Sequence, residues 1–352
     1  MARHSGIVGV DIGSAAIKVV ELSNGGSPKV RAAGSVATPA GTLEEGRIKD
    51  PTAVGKALRG LIQSKGIKTK RAVAAVNGQV ALMREVRMPQ LPPEEVKQAA
   101  RFEVERYLPY PIAEVTFDTV VVGEDMNGDR KGLDVLVVAA KTDTLRQHMA
   151  TLQVAGLEPA VLEVEPLAVV RAVASGATKE QVTACIHLGS TVTMILVAEG
   201  QVPRVIRTVA FGTTQLLEAA ASRLGATGEA PAVLQARLTQ AAQAAQAGGG
   251  EAVPGLREAI DDALLSLVTE IRRSLEYYGG RYRTAVPDRV VVTGGGATLP
   301  DITASLTASL DMPVERGDPF AELGGTPAGV TPESRAAYAV AAGLARRGVS
   351  DR

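Results

Sequence analysis

Cysteine is almost missing: Cys185 stands alone, so no internal disulfide can form. Its setting, Thr-Ala-Cys185-Ile, reads as a buried strand thiol in a chain kept in a reducing compartment. Charge of one sign is missing too, because Lys plus Arg and Asp plus Glu both total 38. No global field draws the chain to nucleic acid or anionic lipid, which argues against a polyanion binder. Long apolar runs are lacking. The best candidate, Leu133 to Ala140, contains Asp134 and falls far short of the ~20 residues that span a bilayer. The apolar run after Met-Ala-Arg-His is interrupted by Gly6, Gly9 and Asp11, so it does not read as a secretory signal. Direct membrane insertion is not expected, and any membrane association has to come through a partner.

What is present suffices for two cores: 352 residues, 45% of them hydrophobic. Ile-Val-Gly-Val at 7–10 and Ile-Lys-Val-Val-Glu-Leu at 17–22 flank the turn Asp11-Ile-Gly13-Ser14-Ala15-Ala16, a β-hairpin pattern. About 176 residues later the design returns, with Ala184 to Leu188, Gly189-Ser190-Thr191, then Met194 to Ala198. One repetition at half the chain length predicts two related lobes rather than a solenoid, whose period is ~20–50 residues. Between the hairpins a helix around 52–64 and a strand at 72–76 are expected. Leu91-Pro92-Pro93-Glu94-Glu95 then opens a helix with prolines and acids in its first turn. Val96, Ala100, Val104 and Leu108, with Tyr107, form its buried stripe, Phe102 lies off it, and Pro109 and Pro111 close it. Strands at 115–122 and 133–140, joined through Asn127-Gly128-Asp129, complete a βαββ-like insert over 76–153. The Ala/Gln/Gly-rich segment 225–258 carries no assigned chemistry. After it, Leu264, Val268, Ile271, Leu275 and Tyr278 mark a long helix expected to close at Gly279-Gly280, and strand 289–293 leads into Gly294-Gly295-Gly296.

A loop that touches a polyphosphate needs glycine for backbone approach, small hydroxyl residues, and a carboxylate for hydrated Mg²⁺. Asp11-Ile-Gly13-Ser14 has all three. An Asp that merely bonds its own turn is the competing reading. The loop at Gly189 and the glycines after the later strand occur in the order a split nucleotide site requires. The triple glycine also reads as a plain strand-to-helix turn. Glu270 and Arg273, one helical turn apart, suit a ribose and an adenine, or a solvated salt bridge.

Asp11-Ile-Gly13, the Gly189 loop, Val291-Val-Thr-Gly294-Gly-Gly296 and Ala341-Ala-Gly343-Leu344 resemble the two phosphate, adenosine and second connecting motifs of the actin-like superfamily. Gly9-Val-Asp11-Ile-Gly13-Ser14-Ala-Ala-Ile17-Lys18-Val-Val-Glu21-Leu22 is similar to the opening of the PilM family of type IV pilus proteins. So is Ala100-Arg-Phe102-Glu103-Val-Glu-Arg106-Tyr107-Leu108-Pro109-Tyr110-Pro111. The likeness implies an α/β, actin-like (ribonuclease H-like) fold of two lobes with an FtsA-type inserted subdomain. Its implied boundaries are 1–75 with 154–180, the insert 76–153, 181–212 with 288–348, and a nucleoside subdomain at 213–287.

By the same likeness ATP and Mg²⁺ are the cofactors. Asp11 would hold the metal through water; Gly13, Ser14, Ala15, Lys18, Gly189, Ser190 and Thr191 would surround the phosphates. Glu270, Arg273, Gly294, Gly295 and Gly296 would surround the nucleoside, and Glu165, in Glu163-Val-Glu165-Pro166, would position a water. His187 stands where the superfamily usually has an acid, so binding is expected with at most weak hydrolysis. The partner implied is a short apolar segment at the cytoplasmic N-terminus of PilN, and through it PilO, at the groove between the insert and the first lobe, with Phe102, Arg106 and Tyr107 as candidate contacts. Self-association is possible. An FtsA-like cytoskeletal protein is the alternative, although the sequence stops at Leu344-Ala-Arg-Arg-Gly-Val-Ser-Asp-Arg352, where FtsA relatives continue into an amphipathic helix. A small-molecule kinase is the third reading, and lacks a recognisable acceptor pocket and base.

Overall fold

The computed structural model describes residues 6–23, 28–125, 132–223, 225, 228, 233–238, 256–282, 286–325 and 327–350. The chain divides into two compact units, one of Met1–Gly26, Arg31–Ala168 and Leu344–Arg352, the other of Ser27–Val30 and Val169–Gly343.

In the first unit the alternating apolar runs become the hairpin β1 (Gly6–Ile12) and β2 (Ala16–Ser23), with β3 (Val30–Ala37) beside β2. A short ribbon of β4 (Leu43–Glu44) and β5 (Arg47–Ile48) follows, then α1 (Pro51–Ser64) and β6 (Arg71–Val76). Asp50 starts α1 by accepting from the Thr52 and Ala53 N–H groups at 3.0 and 2.9 Å, a cap worth about 1 kcal/mol. The insert then leaves the sheet as β7 (Ala81–Pro89), α2 (Pro93–Tyr107), β8 (Val115–Asp125) and β9 (Gly132–Lys141), a separate three-stranded sheet ordered β7-β9-β8. As the spacing predicts, Val96, Ala100 and Val104 bury α2 against Leu133, Val135, Val137 and Ala139 of β9. Leu108 is extended beyond the helix, as the following Pro109 demands, and Tyr107 is exposed, with the Arg84 guanidinium 3.8 Å above its ring. The Asn127-Gly128-Asp129 turn lies outside the described residues.

The chain returns through α3 (Thr142–Val154), β10 (Glu158–Val164) and α4 (Glu165–Val173). The sheet order β10-β6-β1-β2-β3 places β1 between its antiparallel partner β2 and the parallel β6. Leu152 of α3 and Leu58 of α1 share one core cluster with Val8 and Val10 of β1. The expected boundary at 153 assigns α3 to the insert; its packing makes it a crossover helix of the main sheet, and the insert's own strands end at Lys141.

The second unit repeats the plan with β11 (Val182–Leu188), β12 (Thr193–Glu199), β13 (Val202–Val209), α5 (Thr213–Arg223), α6 (Leu256–Tyr282), β14 (Arg289–Thr293), α7 (Ile302–Leu310), β15 (Val314–Arg316) and α8 (Ala339–Ser350). Its order, β13-β12-β11-β14-β15, matches the first sheet element for element, with β14 and β15 parallel additions like β6 and β10. The boundary between units falls inside α4 and α8.

Leu264, Val268, Ile271 and Tyr278 face the core from α6, with Leu275 partly buried against it. Gly279-Gly280 does not end this helix, which runs on to Tyr282. Each glycine costs about 1 kcal/mol relative to alanine in a helix. The Tyr278 and Tyr282 rings, 5.2 Å apart, and the Tyr278 hydroxyl donating to Glu199 at 2.8 Å hold the last turn together. Segment 225–258 lies outside the described residues except for 225, 228, 233–238 and 256–258. Leu234 and Leu238 are buried in the core of the second unit.

Candidate functional site

The β1–β2 turn is closed by the Gly13 N–H donating to the Ala16 carbonyl at 3.2 Å, which leaves Ser14 and Ala15 exposed at the tip. Thr38 ties the turn down: its hydroxyl donates to the Gly13 carbonyl at 2.7 Å and its N–H to the Ala15 carbonyl at 3.1 Å. Immediately below, Asp11 and Lys18 face each other as a cross-strand pair with Nζ 3.2 Å from Oδ2, and Asp11 is buried. A buried ion pair is retained at a desolvation cost, which sets Asp11 and Lys18 apart at a turn otherwise made of small residues.

Glu165, the first residue of α4, is the other buried carboxylate here. Burial, and then the negative charge of Asp11, push its carboxyl from the ordinary 4.5 up to about 8, against the opposing pull of Lys18 and of a hydrogen bond from Asn77. At neutral pH the group is therefore an uncharged acid, able both to donate and to accept a hydrogen bond. Asn77 in turn accepts from the Gln79 N–H at 2.8 Å. Neither Thr38 nor Asn77 stands out in the sequence: Thr38 follows β3 and reaches the turn, and Asn77 follows β6 and reaches Glu165.

In the second unit, Gly189 N–H donates to the Val192 carbonyl at 2.9 Å, closing a turn of the same length over Ser190 and the exposed Thr191. Here the restraint comes from the start of α5: the Thr213 N–H donates to Gly189 O at 2.9 Å and the Thr214 N–H to Ser190 O at 3.0 Å. A side chain at Gly212 would stand 2.3 Å from the Ser190 carbonyl, so Phe-Gly212-Thr-Thr is shaped to lie against this turn. His187 sits below the turn with Nδ1 3.0 Å from the Thr293 hydroxyl, and Cys185 Sγ is 3.5 Å from the same oxygen. Burial raises the Cys185 thiol to about 12, so it is the inert strand thiol expected from its neighbours.

Gly294 leaves β14 at φ 85°, and a Cβ there would stand 2.4 Å from the Leu188 carbonyl, so only glycine fits beside β11. Gly295 by contrast has open space where a side chain would go. A short 3₁₀ turn, Gly295–Thr298, follows, and Gln235 donates to Thr298 Oγ1 at 3.0 Å and to Gly295 O at 3.4 Å. Gln235 belongs to the stretch in which the sequence suggested no chemistry. Glu270 and Arg273 do share a face of α6, but Arg273 spends its charge on Glu270 at 2.8 Å, and Arg207 of β13 binds the other carboxylate oxygen at 3.0 Å. Arg207 lies 63 residues away in sequence and carries no local signal.

On the insert Phe102 is 72% exposed, Tyr107 is covered on one face by Arg84, and Arg106 reaches Glu103 at 3.4 Å. None of the three lines the cavity of about 600 Å³ that lies beside the insert, formed by Arg47–Lys49, Ala113, Glu114 and the beginning of α3. Among the described residues no helix is long and apolar enough to cross a membrane. Nor do three or more His, Cys, Asp or Glu side chains among them gather into a metal cage.

The architecture has known relatives. A solved structure described as a PilM-PilN type IV pilus biogenesis complex matches with a TM-score of 0.83 at 26% identity, over 99% of each chain. The ethanolamine utilization protein EutJ from Carboxydothermus hydrogenoformans matches with a TM-score of 0.57 at 17% identity, over 97% of this chain and 89% of that one. MreB5 of Spiroplasma citri bound to ADP matches with a TM-score of 0.51 at 12% identity, over 96% and 94%. These last two show the fold, an actin-like one. The family model for the type IV pilus assembly protein PilM matches residues 9–349, nearly the whole length, and the chain therefore belongs to the PilM family.

Proposed function

We propose that the chain is an ATP-binding adaptor of the type IV pilus inner-membrane platform, cytoplasmic and held at the membrane by the N-terminal segment of PilN. The observation that carries this reading is the family match over 9–349, joined to the likeness to a PilM–PilN complex. Through PilN the adaptor reaches PilO.

The residues present fit Mg·ATP. Mg²⁺ keeps several waters and is held by one or two carboxylates with the substrate's phosphates, which suits Asp11 and explains why no larger cage is needed. Gly13, Ser14, Ala15 and Lys18 are the phosphate contacts on the first turn, and Gly189, Ser190 and Thr191 those on the second. Gly294, Gly295 and Gly296, with Glu270 and Arg273, serve the nucleoside. Metal-bound ATP supplies the only reactive bond. Glu165, buried at the start of α4, orients a water, and His187 adds no carboxylate, so turnover is slow.

The partner site is assigned to the groove of about 600 Å³ beside the insert. Fluorescence anisotropy with a synthetic PilN N-terminal peptide tests the assignment. Replacing 78–140 by a short linker should abolish binding while the remaining chain still binds ATP. Full peptide affinity after the replacement would move the partner site elsewhere.

A further inference from the structure

The glycine loop after β14 is held by a side chain from a remote and compositionally plain part of the chain. Residues 233–238 are helical, and Leu234 and Leu238 bury them against the core of the second unit. Gln235, next to Leu234, thereby lies against the turn Gly295–Thr298. Its amide Nε2 donates to Thr298 Oγ1 at 3.0 Å and to the Gly295 carbonyl at 3.4 Å, and the Thr298 hydroxyl donates to that same carbonyl at 2.7 Å.

The three glycines of the loop are not alike. A Cβ at Gly294 or Gly296 would run into Leu188, whereas one at Gly295 would meet nothing within 4 Å. Packing on β11 therefore fixes the two outer glycines, while the middle one has open space beside it and the backbone freedom of its type. Gln235 and Thr298 take that freedom away. Because the peptide unit is planar, holding the Gly295 carbonyl also sets the direction of the Gly296 N–H on its opposite edge.

We propose that Gln235 is a positioning residue of the nucleoside site, and that order in 233–238 and occupancy of the glycine loop favour each other through it. This rests on the nucleotide reading above and adds to it a residue that acts through Gly295 without touching the base. Coupling of this kind is reciprocal. If the Gln235 contact helps the loop to hold a nucleoside, a bound nucleoside steadies 233–238 by the same factor.

Hydrogen exchange on the full chain, with and without saturating Mg·ATP, tests the coupling, and titration calorimetry supplies the affinities. In the unaltered protein Mg·ATP should slow amide exchange both at 189–191 and at 233–238. Gln235→Glu keeps the size of the side chain but puts an acceptor where the Gly295 carbonyl needs a donor. Mg·ATP should then bind about fivefold or more weakly, and the slowing at 233–238 should vanish while that at 189–191 persists at saturation. Gln235→Lys, which can still donate to both oxygens, should restore most of the affinity and of the slowing. Slowing at 189–191 without slowing at 233–238 in the unaltered protein overturns the role of Gln235 and leaves the nucleotide reading in place. So does a Gln235→Glu variant that retains both affinity and slowing. The first comparison needs no variant, so it decides the matter even where Gln235→Glu does not fold. Absence of Mg·ATP binding by the unaltered protein, or binding that leaves 189–191 unchanged, overturns the nucleotide reading and the inference with it.

Discussion

The two hairpins are the same backbone with different chemistry. Asp11 pairs with Lys18 across β1–β2, and His187 pairs with Met194 across β11–β12, each position displaced by 176 residues with four-residue turns in both. Even the closing bonds correspond, Gly13 to Ala16 and Gly189 to Val192. What differs is what stands beneath each turn. The first has a buried ion pair and a second carboxyl, while the second has an imidazole, a hydroxyl and a thioether. A repeated fold thus preserves the turns and leaves the charge beneath each free to diverge. In this chain the charged side chains lie beneath the first turn, while the second turn offers backbone and hydroxyl groups.

The most disruptive change expected is at the second turn's neighbour. Gly294→Ala forces a left-handed backbone on alanine and a Cβ into the Leu188 carbonyl, so it should cost roughly 3 kcal/mol of stability. Gly13→Ala meets its nearest atom, the Ala16 carbonyl, at 3.0 Å without a positive φ, and should cost clearly less. Denaturant melts of the two variants measure the difference. Equal losses would mean that close approach of backbone at Gly294 does not set the cost.

Next in size is a pH effect confined to the charged side. Glu165 binds its proton more tightly folded than unfolded, since its carboxyl lies near 8 instead of 4.5. Between those values the native state holds the extra proton, so stability falls as pH rises and is lost through about 8. A decline from about pH 5 to about pH 9 is expected, and Glu165→Gln should flatten it. The matched change under the other turn, His187→Gln, should leave the slope in place. A slope that persists in Glu165→Gln would remove this carboxyl as its source.

Asp11→Ala should weaken Mg·ATP binding about tenfold or more in titration calorimetry, and erase the difference between runs with Mg²⁺ and with chelator. Unchanged affinity in a folded variant would take Asp11 out of the metal site and leave the two hairpins chemically equivalent.

The alternating strands and the small-residue turns made this repetition legible in sequence, because period-two apolar patterns and Gly-Ser/Thr turns are local signals. Val96, Ala100 and Val104 of the α2 stripe were legible through their helical spacing, whereas Tyr107, placed on the stripe, is exposed and Leu108 lies beyond the helix. Where tertiary contacts decide, the sequence was silent or misleading. Tyr282 carries α6 past two glycines that mark a stop, and Leu152 draws α3 out of the insert. Thr38, Asn77, Arg207 and Gln235 join their sites from remote segments, where no spacing rule could place them.

The smallest effect expected is the one that most directly sharpens the comparison. His187→Asp places a carboxylate at the position that corresponds in register to Asp11. His187 is half-buried and held by Thr293 at 3.0 Å, and a shorter aspartate side chain gives up that geometry for charge. Two terms then oppose each other. A carboxylate near the phosphates offers a second anchor for hydrated metal, which favours hydrolysis, while the lost Thr293 contact loosens β11 against β14. Anchoring should prevail because Thr293 still has Cys185 as a neighbour and the strands keep their parallel ladder. Single-turnover phosphate release should therefore rise a few-fold, to a rate still slow for an ATPase, with Mg·ATP affinity little altered. If the unaltered protein already hydrolyses ATP quickly, or if His187→Asp slows release while ATP still binds, the missing acid is not what limits turnover, and the division of labour between the two turns would have to be redrawn.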